Sequence, residues 1–142
     1  MSLKIISTRV FNTCTKLFFF VILIQMKVFF NNSCKICKAE IDLYKKEKIK
    51  EINWIDVSNN SAAKLETNKN EKELIRRLHV INKGTIYSGA EAFLLVWNKI
   101  PKYKFLYKIF KLPIIFTIFK YGYEIIAFFL YLKNKKQLKK LS

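Results

Sequence analysis

Apolar and polar positions change period along the chain, and from residue 27 onward the changes read as elements. Residues 28–30 are a short apolar run ending in the polar turn Asn31-Asn32-Ser33, the pattern of a buried strand. From about Cys34 to Lys48, Cys37, Ile41 and Tyr44 recur at i, i+4 and i+7, one stripe of a helix. Residues 51–57 (EINWIDV) read as a second strand. Residues 58–70 are polar, with SNNS and NKN, and predict a loop. EKELIRRL predicts a short helix with Leu74, Ile75 and Leu78 inward. LHVINKGTIYSG predicts a hairpin around Asn82-Lys83-Gly84, with Gly84 supplying the positive φ that such a turn needs. The remainder is helical: residues 90–100 up to Pro101, then 102–111 up to Pro113, with Tyr103, Leu106, Tyr107 and Phe110 at helical spacing. Residues 114–132 are apolar nearly all round, with Lys120 and Glu124 placed i, i+4 to pair.

Residues 1–25 stand outside this series. A basic start (Lys4, Arg9, Lys16) precedes an apolar run over 17–24. A signal peptide has that shape, but no small-x-small cleavage pattern follows. The run is also shorter than the ~20 residues a bilayer requires. It reads as an extension or disordered tail ahead of Met26, as a membrane-directed segment, or as an additional strand. At the other end, five lysines lie between Lys133 and Lys140. The last helix reads as one packed over the core, or as a membrane-facing helix with its lysines on anionic lipid.

Length and charge narrow the picture. The 142 residues suit one domain with a substantial core; chains of this size bury roughly 70% of their unfolded surface. Lysine and arginine total 27 against 10 acidic residues. Abundant Lys, Ile, Phe and Asn fit A/T-rich coding, which would leave the lysines a solvated face; an anionic partner is the sharper reading. No RNA-binding fingerprint or helix-turn-helix is present, so no specific nucleic acid is expected. P-loop, dinucleotide-binding and Ser/His/Asp patterns are also missing from the sequence.

Three cysteines in a chain this long do not make a secreted disulfide framework. They suit a reducing, cytoplasmic compartment, with one working pair and a spare thiol at Cys14. The order strand, Cys34-x-x-Cys37, helix, strand, helix, hairpin, helix is that of a thioredoxin-like α/β fold: a small sheet flanked by helices, here with a helical C-terminal extension. The expected organisation is an extension over 1–25, a thioredoxin-like core over 26–100, and a helical extension with a basic tail over 101–142. At a helix start, unpaired amides and the macrodipole favour a thiolate. Lys35 would add positive charge, and Ser33 or Asn32 would cap the helix, with Asn31 and Asn32 suited to a left-handed turn. Cys34 is then the exposed nucleophile and Cys37, one turn on, the half-buried resolving thiol.

The stretches FFNNSCKIC, LHVINKGTIYSGAEAF and IPKYKFLYKIFKLP, with a Tyr near the start of the last helix, resemble the DCC family of thiol-disulfide oxidoreductases. That family is thioredoxin-like and named for an Asp-x-x-Cys-x-x-Cys signature. The resemblance spans roughly residues 27–138 and implies a protein-disulfide oxidoreductase role for Cys34 and Cys37. Its substrate would be a disulfide-containing protein or a low-molecular-weight thiol, and it would need no cofactor beyond a redox partner. Two departures stand out. Asn31 occupies the acidic position, which removes a like charge near Cys34 and a proton acceptor for the resolving thiol. The chain also lacks a proline just before the hairpin, so substrate docking falls to Arg76, Arg77 or the backbone near Leu78.

Other chemistries use the same residues. His79, the single histidine, reads as a hydrogen-bonded structural residue, as a group tuning the thiols, or as a metal ligand. Cys14, Cys34, Cys37 and His79 make a Cys₃His zinc set by composition, though from scattered elements. A non-catalytic basic module, making peripheral membrane contact or binding nucleic acid, is the alternative from a different class.

Overall fold

The structure, a computed structural model, describes residues 25–141 together with Lys16, Leu17 and Phe20, and side chains as far as Lys135. The readings of residues 1–24 as a unit, of Cys14, and of the last lysines lie outside the described residues.

Strand β1 (Met26–Phe30) is central, two residues longer at its start than its sequence suggests. It pairs in parallel with β2 (Ile52–Asp56) and antiparallel with β3 (His79–Asn82), and β3 pairs with β4 (Thr85–Ser88). The order is β2-β1-β3-β4, the expected thioredoxin-like α/β sheet. Helix α1 (Lys35–Lys45) makes the crossover that parallel β1 and β2 require. The hairpin closes through Lys83 and Gly84, both at positive φ (51° and 77°), with Asn82 opposite Thr85. Two left-handed residues in a row match the twist of the flanking strands.

Residues 58–70 are not all loop. They contain α2 (Ser61–Thr67), started by Asn60, whose side chain accepts the Ala63 amide at 3.1 Å, and ended by left-handed Asn68. The helix buries only Ala63 and Thr67, so its sequence carries caps without an apolar period. Helix α3 (Glu71–Arg76) opens on a reciprocal cap. The Asn70 side chain accepts the Glu73 amide, and the Glu73 carboxylate accepts the Asn70 amide. Leu74, Ile75 and Leu78 are inward, as expected.

Both faces of the sheet are covered, because alternate residues of β1 point opposite ways. Met26, Val28 and Phe30 join Ile41, Tyr44, Val80, Val96 and Trp97 in the larger cluster; Phe29 joins Val57, Ala63 and Leu74 in the smaller. Helix α4 (Ala90–Lys99) starts at Gly89, where φ is 65° and an added Cβ would lie 3.0 Å from the Tyr123 ring. That close approach and the positive φ both call for glycine. Pro101–Tyr103 forms a 3-10 turn into α5 (Lys104–Phe110), and α6 (Pro113–Leu141) follows.

Helix α6 is packed on one face only. Phe119 lies 5.5 Å from Trp97 and 4.8 Å from Phe110 between ring centroids, and Tyr123 lies 5.4 Å from Phe93. The Tyr123 hydroxyl accepts the Leu78 amide at 3.1 Å. Glu124 does not pair with Lys120; it takes Arg76 and Arg77 at the end of α3. Guanidinium groups outcompete the lysine because tertiary packing brings two of them to one carboxylate. On the far side, Ile114, Ile118, Tyr121, Ile125 and Phe129 are exposed at helical spacing. The packed-helix expectation therefore describes half of α6. Among the described residues, Pro113–Lys135 is the one helix segment long and apolar enough to cross a membrane by length and composition.

Candidate functional site

The turn between β1 and α1 is built on Asn31. Buried, it accepts the Ser33 amide at 3.0 Å and the Ser58 hydroxyl at 3.3 Å through Oδ1, and its carbonyl accepts the Cys34 amide. Ser33 also donates its hydroxyl to Ser58 at 3.0 Å. The Asn32 amide donates to the Asp56 carboxylate at 3.2 Å. Residues 31 and 32 do not use a left-handed conformation; among the described residues, the positive-φ non-glycine ones are Lys48, Asn59, Asn68 and Lys83. Side-chain hydrogen bonds from Asn31 and Asp56 turn the chain instead. An Asn at 31 thus keeps the acceptor that shapes the loop and gives up the charge.

Neither Ser33 nor Asn32 caps α1. Cys34 is the cap, and its sulfur accepts the Cys37 amide at 3.4 Å. This geometry corrects the exposure expected of the first thiol. Cys34 is only 2% exposed, and Cys37 is the more accessible of the two. The capping rotamer folds the sulfur back over the first turn, and Asn134, from the far part of α6, is near enough to help hold the thiol low. Both cysteines are free thiols here.

Burial and activation therefore coexist. The Cys34 thiol is lowered from its ordinary value to about 6. The Cys37 thiol, donating to the Cys34 sulfur, is the largest cause; burial opposes it, and the Cys37 amide, Asn134 and the Ile36 amide add to it. Lys35 is exposed and is not among these causes. Cys37 is pushed up by the same hydrogen bond, by burial, and by the charges of Cys34 and Glu40. One thiolate with its proton-bearing neighbour in contact is the starting arrangement for exchange.

Cys37 lines a cavity of about 230 Å³ between α1, α4, α6 and the end of α3. Ile36, Phe93, Trp97, Phe119 and Ala127 make it mostly apolar, and Glu40, Arg76 and Arg77 bring charge to it. The arginines named as docking groups do reach this site, held by Glu124, while their Nε atoms are buried without a hydrogen-bond partner. The Leu78 backbone is already committed: its amide to Tyr123 and its carbonyl to the Gly89 amide at 2.8 Å.

His79 does not meet the thiols. It sits opposite Phe29 in the β1–β3 register and so shares the sheet face covered by α2 and α3, away from α1. Its Nδ1 donates to the Arg77 carbonyl at 2.8 Å, which fixes the tautomer because a carbonyl can only accept. Burial lowers its pKa. Among the described residues, no three His, Cys, Asp or Glu gather as a metal site. Glu40 is the site residue that the sequence reading passed over. It is one residue before Ile41 on the buried stripe, where a carboxylate is out of place, and that was the available signal.

A family model described as DCC1-like thiol-disulfide oxidoreductase matches residues 28–136. No curated protein and no solved structure matches the chain.

Proposed function

The chain belongs to the DCC1-like thiol-disulfide oxidoreductase family, and from that premise we propose that Cys34 and Cys37 exchange a dithiol for a disulfide with a protein or low-molecular-weight thiol substrate. The supporting observation is the Cys34 sulfur at the start of α1, receiving the Cys37 amide and thiol and lowered to about 6. In the reducing direction, the Cys34 thiolate attacks a substrate disulfide and one substrate thiolate leaves. Cys37 then attacks Cys34, the second substrate thiolate leaves, and the pair ends as a disulfide. Ser33 and Asn31 hold the turn that presents the sulfur. In an insulin-reduction assay with dithiothreitol, Cys34→Ser should bring the rate to background; a rate equal to the unaltered chain would remove the pair from the chemistry.

A second reading concerns location. The exposed stripe of Ile114, Ile118, Tyr121, Ile125 and Phe129, followed by Lys133 and Lys135, supports a cytoplasmic protein resting on an anionic membrane surface. Vesicles containing phosphatidylserine should retain it in flotation, less so as salt rises. Equal indifference to anionic and neutral vesicles would exclude this contact.

A further inference from the structure

Resolution needs a proton acceptor. Cys37 is the thiol pushed up, and it must lose its proton before it can attack the mixed disulfide. Asn31, the polar side chain of the turn before Cys34, has no carboxylate to take that proton. Glu40 lies three residues after Cys37 on α1, so the two side chains share a helix face. Both line the cavity between α1 and α6. The carboxylate is held in place: the Tyr44 hydroxyl donates to Glu40 Oε1 at 2.6 Å, and Trp97 Nε1 donates to the Tyr44 oxygen at 2.8 Å. A carboxylate half-buried on a mostly apolar wall is costly unless it has work to do.

We infer that Glu40 is the general base of the resolving step. This rests on the exchange reading above. Once Cys34 carries half of a substrate disulfide, Cys37 gives its proton to the Glu40 carboxylate. The Cys37 sulfur then bonds to Cys34, the bond from Cys34 to the substrate sulfur breaks, and the departing thiolate takes the proton from Glu40. Substrate is reduced to thiols, the cysteine pair is oxidised, and no other reactant is consumed.

Burial raises the Glu40 carboxyl, moving it toward the range in which a base works near neutrality, and the Tyr44 hydrogen bond partly opposes this. The ionisable groups facing it are Cys37 and Tyr44 on its own helix, Arg76 and Arg77 from the end of α3, and Tyr123 from α6. Tyr103 reaches it only through the Tyr44 ring.

The test uses oxidised glutathione and follows the Cys34–glutathione adduct by quenched mass spectrometry across pH. Cys37→Ser serves as the reference in which the adduct persists. Glu40→Gln keeps an acceptor oxygen for Tyr44. It should form the adduct at the normal rate yet resolve it about 100-fold more slowly at neutral pH. The deficit should shrink as pH rises and solvent takes over. Glu40→Asp should recover part of the rate. In the unaltered chain, resolution should fall along an acidic limb set by a carboxyl. Normal resolution in Glu40→Gln, or an unaltered profile that climbs tenfold per pH unit throughout, overturns the role of Glu40. Failure of the adduct to form even in Cys37→Ser overturns the exchange reading itself.

Discussion

On one face of the sheet, Phe29, Val57, Ala63 and Leu74 close against α2 and α3, with His79 tied off to a backbone carbonyl. On the other, Phe30, Ile41 and Trp97 line a cavity together with a carboxylate, a phenol and a thiol. Both faces are apolar, but the second also holds polar groups at a cavity. The first is where packing alone decides; the second holds groups whose hydrogen bonds set reactivity. Burial lowers a histidine on one side and raises a carboxyl on the other, for the same reason: each is pushed toward its neutral form.

The comparison can be broken most severely at Phe29, which is fully buried. Phe29→Ala should cost about 3–5 kcal/mol in urea unfolding, while alkylation of Cys34 in the folded protein should still show its midpoint near about 6. A moved midpoint would mean that the two faces are not independent. Tyr44→Phe should cost less, about 1–3 kcal/mol, because Trp97 Nε1 and Glu40 each lose a partner. Its signature is chemical: without the hydroxyl that lowers it, the Glu40 carboxyl rises further, and the acidic limb of the resolving step should shift upward in pH.

The smallest effect belongs to His79. Its folded pKa lies below the ordinary 6.5, so the unfolded chain binds a proton that the folded chain refuses. The stability it confers is complete above about 6.5 and declines as pH falls from there toward the folded value. His79→Gln should flatten that part of the profile, read as urea midpoints at several pH values. An unchanged slope would show that His79 titrates alike in both states.

Local signals carried most of the fold. The turn after β1, the Cys37–Ile41–Tyr44 stripe and the Lys83-Gly84 hairpin are each written within a dozen residues, where period and turn chemistry suffice. Helix α2 escaped because two buried residues make no period. The site was half legible for a related reason. Spacing placed the thiols at a helix start, but Cys34 is buried, and Glu124 meets Arg76 and Arg77 rather than Lys120. Those contacts join parts of the chain too far apart in sequence for any local pattern to report.

One consequence concerns α6 as a mechanical object. It is fastened near its middle, where Tyr123 and Glu124 grip the end of α3, and Asn134 lies ten residues beyond that grip. At about 1.5 Å per residue, Asn134 sits roughly 15 Å along the axis from that grip. A lever of that length pivoting by about ten degrees sweeps its tip through roughly 2–3 Å. The fulcrum thus gives a modest load on the outer half of the helix a direct purchase on the surroundings of Cys34.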